Sequence, residues 1–239
     1  MAIQLRPVEY RHREVLLEGM LAWDDALPGP RPGVLVSHAW GGRGEFEVGK
    51  ARALAEQGYA GFALDMYGKG VLGMDPEQNS ALMAPFLADR ALLQQRIALA
   101  VSVLRDQPEV DAANIAAIGF CFGGLCVLDL ARSGSEVKGV ASFHGLFDPP
   151  GNTEGKRIKA RVLCLHGYDD PMAPPDTMTA LAAELSAAGA DWQIHAYGNT
   201  QHSFTNPAAD NVEMGAIYNA SADRRSAQAL ANFLAELFD

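Results

Sequence analysis

The chain has 239 residues and a formal net charge of −10, with 49% hydrophobic and 20% charged residues. This length and composition fit one large α/β domain and argue against a disordered chain. No basic cluster accompanies the acidic balance, so neither nucleic acid nor an anionic membrane surface is an expected partner.

The cysteines do not form a disulfide framework, since there are three of them at irregular spacing: Cys121, Cys126 and Cys164. The sequence contains no Cys-x-x-Cys pair, so we do not expect structural zinc. Reduced thiols suit a cytoplasmic protein. The N-terminus lacks the apolar core of a signal peptide, and no apolar run is long enough to span a bilayer. We therefore expect a cytoplasmic protein, with Cys126 and Cys164 as inert core thiols.

Predicted strands and helices alternate along the chain. A β-hairpin at about 6–24 comes first, followed by a loop rich in proline and glycine. The strands that follow are predicted at 34–38, 59–66, 114–121, 137–144, 161–167 and 192–197. The helices are predicted at 46–57, 78–106, 125–132, 176–188 and 222–238. Pro85 is expected to divide the second helical region into a short and a long helix.

This alternation predicts the fold class. Short, nearly continuous apolar strands are typical of a parallel sheet buried on both faces, and the intervening helices cover it. We expect a mainly parallel central sheet with helices on both faces, in a single domain over residues 1–239. In such sheets, active sites gather at the carboxyl ends of the strands.

One turn between a strand and a helix carries a candidate nucleophile. Gly119-Phe120-Cys121-Phe122-Gly123 matches the nucleophile-elbow pattern, with cysteine in the usual place of serine. The turn strains the backbone, and larger side chains two residues to either side would clash with the neighbouring strand and helix. The thiol would lie at a helix N-terminus, which favours a thiolate. Taken alone, the pattern fits a packing turn with a buried thiol equally well.

Two later loops supply an acid and a base. Asp170 follows the predicted strand 161–167, and His202 lies in the long loop after the last strand, so the order is nucleophile, acid, histidine, as in α/β-hydrolases. His202 can move the proton, while Asp170 holds its imidazole in the required tautomer. Asp169 stays open as the acid, and both aspartates can also be explained as a turn before the next helix.

The other histidines have competing interpretations. His195, inside a strand, is expected to be structural, and His166 to bond to backbone in its His-Gly turn. His38 is expected to shape the glycine-rich loop after the first parallel strand. His144 ends a strand near the elbow and is a weaker catalytic rival of His202.

Backbone N–H groups are predicted to form the oxyanion hole. One is that of Phe122, directly after the nucleophile, and the other is that of Trp40 in the glycine-rich loop. Gly41 and Gly42 leave room there for a substrate.

Together these residues resemble the dienelactone hydrolase family. The motifs are Gly119-Phe120-Cys121-Phe122-Gly123-Gly124, His166-Gly167 with Asp170-Pro171, and Gln201-His202-Ser203-Phe204. The resemblance covers nearly the whole chain, including the N-terminal hairpin. It implies an α/β-hydrolase fold without a large cap domain and a Cys–His–Asp triad. It also implies cleavage of small esters or lactones without a metal or another cofactor.

The chain departs from the family pattern around the thiol and the substrate. Enzymes that act on dienelactone carry a thiol-activating glutamate where this chain has Ala39, and Glu45 and Glu47 lie a few residues too late to be assumed to replace it. Those enzymes also carry a substrate-binding arginine where this chain has Asn206.

A second family arginine precedes the long helix. Arg90 or Arg96 can serve here, although Arg96 can equally lie on a solvated helix face. We take His38, Arg90 and Asn206 as the candidate substrate-binding residues. These departures favour a family member with altered specificity over a dienelactone-specific enzyme.

The expected function is hydrolysis of a small carboxylic ester or lactone through an acyl-thioester on Cys121, by a monomer or homodimer. Thioester hydrolysis and acyl transfer are close variants, and a peptidase is less expected. The alternative from another class is a non-catalytic protein that binds a small molecule or uses Cys121 as a redox sensor. That alternative predicts no ester turnover, and it does not require the acid and the histidine.

Overall fold

The computed structural model describes residues 2–239. Within that range no helix combines the length and the apolar character needed to cross a bilayer. The packing of the chain separates it into two compact units, one ending at Ile118 and the other running from Gly119 to Asp239. The single domain expected from composition stays a prediction.

The first unit contains the hairpin and the first parallel strands. Its elements are β1 (Ile3–His12), β2 (Val15–Asp24), β3 (Arg31–Ser37), α1 (Glu45–Glu56), β4 (Ala60–Ala63), α2 (Pro76–Ala88), α3 (Arg90–Arg105) and most of β5 (Val110–Phe120). The hairpin β1–β2 is antiparallel and begins three residues before the predicted 6–24. The strand order is β1-β2-β4-β3, in which β2 and β4 are antiparallel and β3 and β4 are parallel.

The second helical region is divided into a shorter and a longer helix, as predicted, but the break does not fall at Pro85. Helix α2 continues through Pro85 to Ala88, and the break falls at Asp89. Asp89 is the N-cap of α3, where its carboxylate accepts the N–H of Leu92 at 3.0 Å. Pro85 lies inside α2, where it removes one helical hydrogen bond, whereas the Asp89 cap satisfies an N–H that a new helix leaves open.

The second unit contains the later parallel strands. Its elements after β5 are α4 (Phe122–Arg132), β6 (Gly139–Phe143), β7 (Arg161–Gly167), α5 (Pro175–Ala187), β8 (Trp192–Tyr197), β9 (Asp210–Asn211), β10 (Ala216–Ile217) and α6 (Ala220–Phe238). Strands β6, β7 and β8 are neighbours in that order, and both pairs are parallel. The last two large strands begin and end at the predicted residues.

The loop predicted after β8 contains an antiparallel pair, β9 and β10, that the sequence did not predict. Strands of two residues are too short to leave a periodic pattern. All residues of α4 are buried, as predicted from its apolar sequence. The carboxyl ends of β5, β7 and β8 therefore lead into the segments that carry Cys121, Asp170 and His202.

Candidate active site

Cys121 occupies a strained turn between β5 and α4. Its backbone has φ 56° and ψ −117°, a conformation that residues other than glycine rarely adopt. Its N–H donates to the carbonyl of Phe143 at 3.0 Å, and its own carbonyl accepts the N–H of Gly124 at 2.9 Å. A Cβ on Gly119 would collide with the backbone of Gly123. The predicted glycine requirement of the elbow is thus explained by this close approach.

Asp170 and His202 form a buried pair. Oδ2 of Asp170 accepts from Nδ1 of His202 at 2.7 Å, and each residue is only 1% exposed. The other carboxylate oxygen, Oδ1, accepts the N–H of Met172 at 2.8 Å. The backbone of His202 is also held, because its N–H donates to Gly215 and its carbonyl accepts from Ile217, both at 2.9 Å. The acid therefore fixes both the tautomer and the ring orientation of the histidine.

The charge environment of His202 favours its protonated form. Burial is the largest single influence on its pKa and acts to lower it. The negative charge at Cys121 and the hydrogen bond with Asp170 outweigh burial and raise the pKa of His202 to about 10. Nε2 makes no hydrogen bond of good geometry to any residue in the described range. Cys121 is nevertheless close enough for its charge to be the largest influence that raises the pKa of His202. The structure thus brings the three predicted residues together.

The neighbouring aspartate points elsewhere. Asp169 is exposed, and its carboxylate accepts the N–H of Thr200 at 3.2 Å. The structure therefore pairs Asp170, and not Asp169, with His202. The sequence left both aspartates open as the acid because they are adjacent. The turn directs their side chains to different partners.

His166 is a buried neighbour of Asp170. It is fully buried, but neither of its ring nitrogens has a hydrogen-bond partner of good geometry among residues 2–239. Its ring packs against Phe147, with the centroids 4.9 Å apart. Burial lowers the pKa of His166, so it stays neutral beside Asp170 and leaves that carboxylate to His202. A backbone hydrogen bond with Ala173 and the nearby Asp170 act in the opposite direction to burial and raise the pKa of His166.

His144 lies close to His202. Its ring centroid is 5.1 Å from that of His202, and its Nε2 shares a 2.8 Å hydrogen bond with Oγ1 of Thr205. His195 lies within β8, as predicted. Thr205 was missed in the sequence, where only its position three residues after His202 could have suggested a role.

In the first unit, His38 shapes the glycine-rich loop after β3. It is fully buried, and its Nδ1 donates to the carbonyl of Ala39 at 2.6 Å while its Nε2 accepts the N–H of Met66 at 3.1 Å. Tyr67 packs edge-on against it and donates from its hydroxyl to the carbonyl of Trp40 at 3.0 Å. Burial lowers the pKa of His38. Both ring nitrogens bond to backbone, so the expectation that His38 binds substrate is not supported.

Glu47 is a buried residue of the same loop region. Its carboxylate accepts the N–H of Ala39 at 3.3 Å and that of Gly44 at 2.9 Å. It is the third residue of α1, where a glutamate often reaches back to the helix cap, and that spacing was the available sequence signal. This chain therefore lacks the family's glutamate at position 39, but the carboxylate of Glu47 accepts the backbone N–H of Ala39.

The remaining candidates for substrate binding are Arg96, Arg90 and Asn206. Arg96 is 5% exposed and donates to the carbonyl of Met66 at 2.7 Å, so its placement on a solvated face is wrong. Arg90 begins α3 and is half-buried. The side chain of Asn206 accepts the N–H of Ala208 at 3.0 Å in a turn.

The two predicted oxyanion donors follow different strands. Phe122 is the first residue of α4, and Trp40 follows β3 in the glycine-rich loop. Their joint role in binding an oxyanion stays a prediction.

The other thiols have no apparent chemical task. Cys126 and Cys164 are fully buried, and burial raises the pKa of Cys164 to about 12. No disulfide joins any of the cysteines, all of which lie in the described range. Among residues 2–239, no group of three or more histidine, cysteine, aspartate or glutamate side chains is arranged to hold a metal ion.

A strained cysteine at a strand–helix turn, with a buried aspartate–histidine pair after two parallel strands, defines the α/β-hydrolase class. The family model of the dienelactone hydrolase family matches residues 17–238. The chain therefore belongs to the dienelactone hydrolase family, as its motifs predicted.

Two solved structures agree with this assignment. The structure named m3DLH is 38% identical, covers both chains fully and superposes with a TM-score of 0.96. A dienelactone hydrolase-like promiscuous phosphotriesterase from metagenomic libraries is also 38% identical over all of both chains, with a TM-score of 0.94. An uncharacterised protein of Caenorhabditis elegans is 34% identical over 61% of this chain and 94% of its own.

These similarities confirm two predictions. The chain has the α/β-hydrolase fold, with a mainly parallel sheet and accompanying helices. It is an enzyme of the carboxylic ester and lactone hydrolase class.

Proposed function

We propose that this enzyme hydrolyses small carboxylic esters or lactones with a Cys121–His202–Asp170 triad, through a covalent acyl-thioester. The observation that carries the proposal is the buried 2.7 Å hydrogen bond between Asp170 and His202. The nearby Cys121 raises the pKa of His202. Mere binding of a small molecule would not need this coupled set of charges.

The first half of the reaction forms the thioester. The Cys121 thiolate attacks the ester carbonyl carbon, and the electrons of the C=O bond move to oxygen. Collapse of this tetrahedral species breaks the bond to the leaving alkoxide, which takes a proton from the His202 imidazolium. In the proposal, the N–H groups of Phe122 and Trp40 stabilise the oxyanion.

The second half releases the acid. His202 takes a proton from water, the hydroxide attacks the thioester carbonyl, and the C–S bond breaks. The products are a carboxylic acid and the regenerated thiolate–imidazolium pair. Asp170 accepts a hydrogen bond from Nδ1 throughout and stabilises the positive ring.

The proposed substrates do not require a carboxylate. The family's arginine is replaced by Asn206, whose side chain is engaged in a local turn. We therefore propose neutral short-chain esters and lactones rather than dienelactone. Cytoplasmic location and a monomeric or homodimeric state belong to the same proposal.

A substrate panel tests this function. Short-chain p-nitrophenyl esters, simple lactones and dienelactone are assayed with the wild type, Cys121→Ala and Cys121→Ser. We expect the wild type to turn over esters or lactones, and Cys121→Ala to fall to background. Equal activity of wild type and Cys121→Ala rejects the triad. No turnover by the wild type favours the binding or redox-sensing alternative, and turnover of dienelactone alone contradicts the proposed specificity.

A second candidate activity is hydrolysis of phosphotriesters. It is favoured by the full-length similarity, at 38% identity, to a promiscuous phosphotriesterase. The same thiolate would attack phosphorus and expel an aryloxide. Adding paraoxon to the panel tests it: release of p-nitrophenolate by the wild type but not by Cys121→Ala supports this activity, and no release by the wild type rejects it.

A further inference from the structure

His144 occupies a strained position at the end of β6. Its backbone φ is 37°, a positive value that is uncommon outside glycine, although histidine, like asparagine and aspartate, adopts it more often than other residues. Such strain persists only where the surrounding structure enforces it, and it concentrates at functional sites. Neither the proposed triad nor the oxyanion hole uses this residue.

The backbone on both sides of the strain is tied to the catalytic segments. The carbonyl of Phe143 accepts the N–H of Cys121 at 3.0 Å, and the N–H of His144 donates to the carbonyl of Leu165 at 2.8 Å. Leu165 belongs to β7, whose end leads to Asp170. His144 is therefore fixed between the strand that reaches the acid and the turn that holds the nucleophile.

The imidazole of His144 is directed to the segment that carries His202. Its Nε2 and the hydroxyl of Thr205 share a 2.8 Å hydrogen bond, and these residues are 3% and 1% exposed. The ring lies edge-on to His202, with centroids 5.1 Å apart and planes at 65°, and edge-on to Phe204 at 5.2 Å. One side chain thus contacts the histidine itself and the segment just after it.

We propose that His144 is a positioning residue, which holds the His202 imidazole toward Asp170 by edge contact and by its hydrogen bond to Thr205. The inference rests on the proposed triad. It assigns His144 no contact with substrate. This backbone conformation accompanies the contacts of the ring with both Phe204 and His202.

The test uses substitutions that break the hydrogen bond and preserve the packing. Thr205→Val removes the hydroxyl with nearly the same shape, and Thr205→Ser is the matched control that keeps it. His144→Phe keeps a ring in the same place. Circular dichroism and thermal unfolding establish that each variant is folded, and Thr205→Val carries the test if His144→Phe does not fold.

Two measurements separate positioning from core filling. The first is kcat and KM on p-nitrophenyl acetate, where we expect Thr205→Val and His144→Phe to lower kcat roughly 10-fold, with KM changed little. The second is the proton NMR signal of His202 Nδ1–H, assigned by its loss in His202→Gln. We expect it to shift or broaden in both variants and to stay unchanged in Thr205→Ser.

Unchanged kcat and an unchanged Nδ1–H signal in the folded variants would overturn the proposal. A lower kcat with an unchanged signal would overturn it too, because the imidazole would then be held without His144. The NMR signal needs no turnover. It therefore still tests positioning if Cys121→Ala proves fully active and the triad itself fails.

Discussion

At the scale of single residues, the main feature is the electrostatic interaction of His202 with Asp170 and Cys121. His202 has a buried carboxylate on Nδ1 and the Cys121 thiol near its other face. The order of the motifs along the chain pointed to Cys121 and His202, but it left Asp169 open beside Asp170. The burial of Arg96 was not predictable, because its partner Met66 lies 30 residues away in the sequence.

Adjacent aspartates provide a controlled test of the acid. Asp170→Asn is expected to lower kcat on the order of 10³-fold, since an amide at this position favours the wrong imidazole tautomer. Asp169→Asn, on the exposed neighbour that accepts only the Thr200 N–H, is expected to stay within about 3-fold of wild type, because it touches no member of the triad. Steady-state kinetics of the two variants on one ester decides the matter, and equal losses would contradict the assignment.

The raised pKa of His202 predicts the pH dependence of activity. Because this pKa lies at about 10, above the ordinary 6.5, the imidazolium persists through neutral pH and is lost only as the pH rises through about 10. We therefore expect no loss of kcat/KM near pH 6.5 from titration of this ring, and a decline on the alkaline side.

The same shift can be followed directly by NMR titration of the His202 ring. Cys121→Ala removes the negative charge that raises the pKa of His202, so that pKa should fall, while Cys164→Ala should leave it unchanged. Titration of the wild-type ring near 6.5 would show that Cys121 does not act on it in this way.

At the scale of elements, a buried arginine links two helices and a loop. Arg132, at the end of α4, is 2% exposed and forms two 2.8 Å bonds with Glu184 of α5. It also pairs with the buried Asp129 and donates to the backbone of Phe147 and Asp148 after β6. All of its donor groups are directed at acceptors, so it links two helices and a loop.

Loss of Arg132 should be costly. Arg132→Met leaves Asp129 and Glu184 without this cation, and removal of one member of a buried ion pair costs about 3–5 kcal/mol of unfolding free energy. Arg161→Met is the matched control, since Arg161 also has two carboxylate partners but its side chain is 42% exposed. That variant should lose less than about 1 kcal/mol. Urea unfolding measures both, and similar losses would contradict the distinction.

The glycine of the elbow offers a second pair of variants. Gly119→Ala forces a Cβ against the Gly123 backbone, and overpacking of this kind costs about 1–3 kcal/mol or more. Gly49→Ala lies in α1 with open space around the new Cβ and should gain up to about 1 kcal/mol. Equal unfolding free energies for the two variants would show that the elbow relaxes at no cost.

The sequence predicted long elements better than their interruptions. Strands β7 and β8 begin and end as predicted. β7 is a nearly continuous apolar run, whereas β8 mixes apolar and polar residues. The break in the second helical region was predicted at Pro85 but falls at Asp89, where a capping carboxylate begins α3. The pair β9–β10 was missed because its pairing depends on a fold already formed.

At the scale of the whole molecule, membership of the dienelactone hydrolase family is the firmest result, and it was predictable because three motifs occur together in one order. The expected single domain can be tested with the native tryptophans. Trp23 and Trp40 belong to one compact unit and Trp192 to the other. Variants that keep one tryptophan each should unfold in urea at the same midpoint, and separate midpoints would indicate two domains.

The central claim is that Cys121 becomes acylated during turnover. The most direct measurement is rapid mixing with p-nitrophenyl acetate, acid quenching, and mass spectrometry of the intact chain and its peptides. We predict a burst of p-nitrophenolate and one acetyl group on the peptide that contains Cys121, both absent in Cys121→Ala. Ester turnover with no acetyl group at Cys121, and with the same rate in Cys121→Ala, would contradict the account.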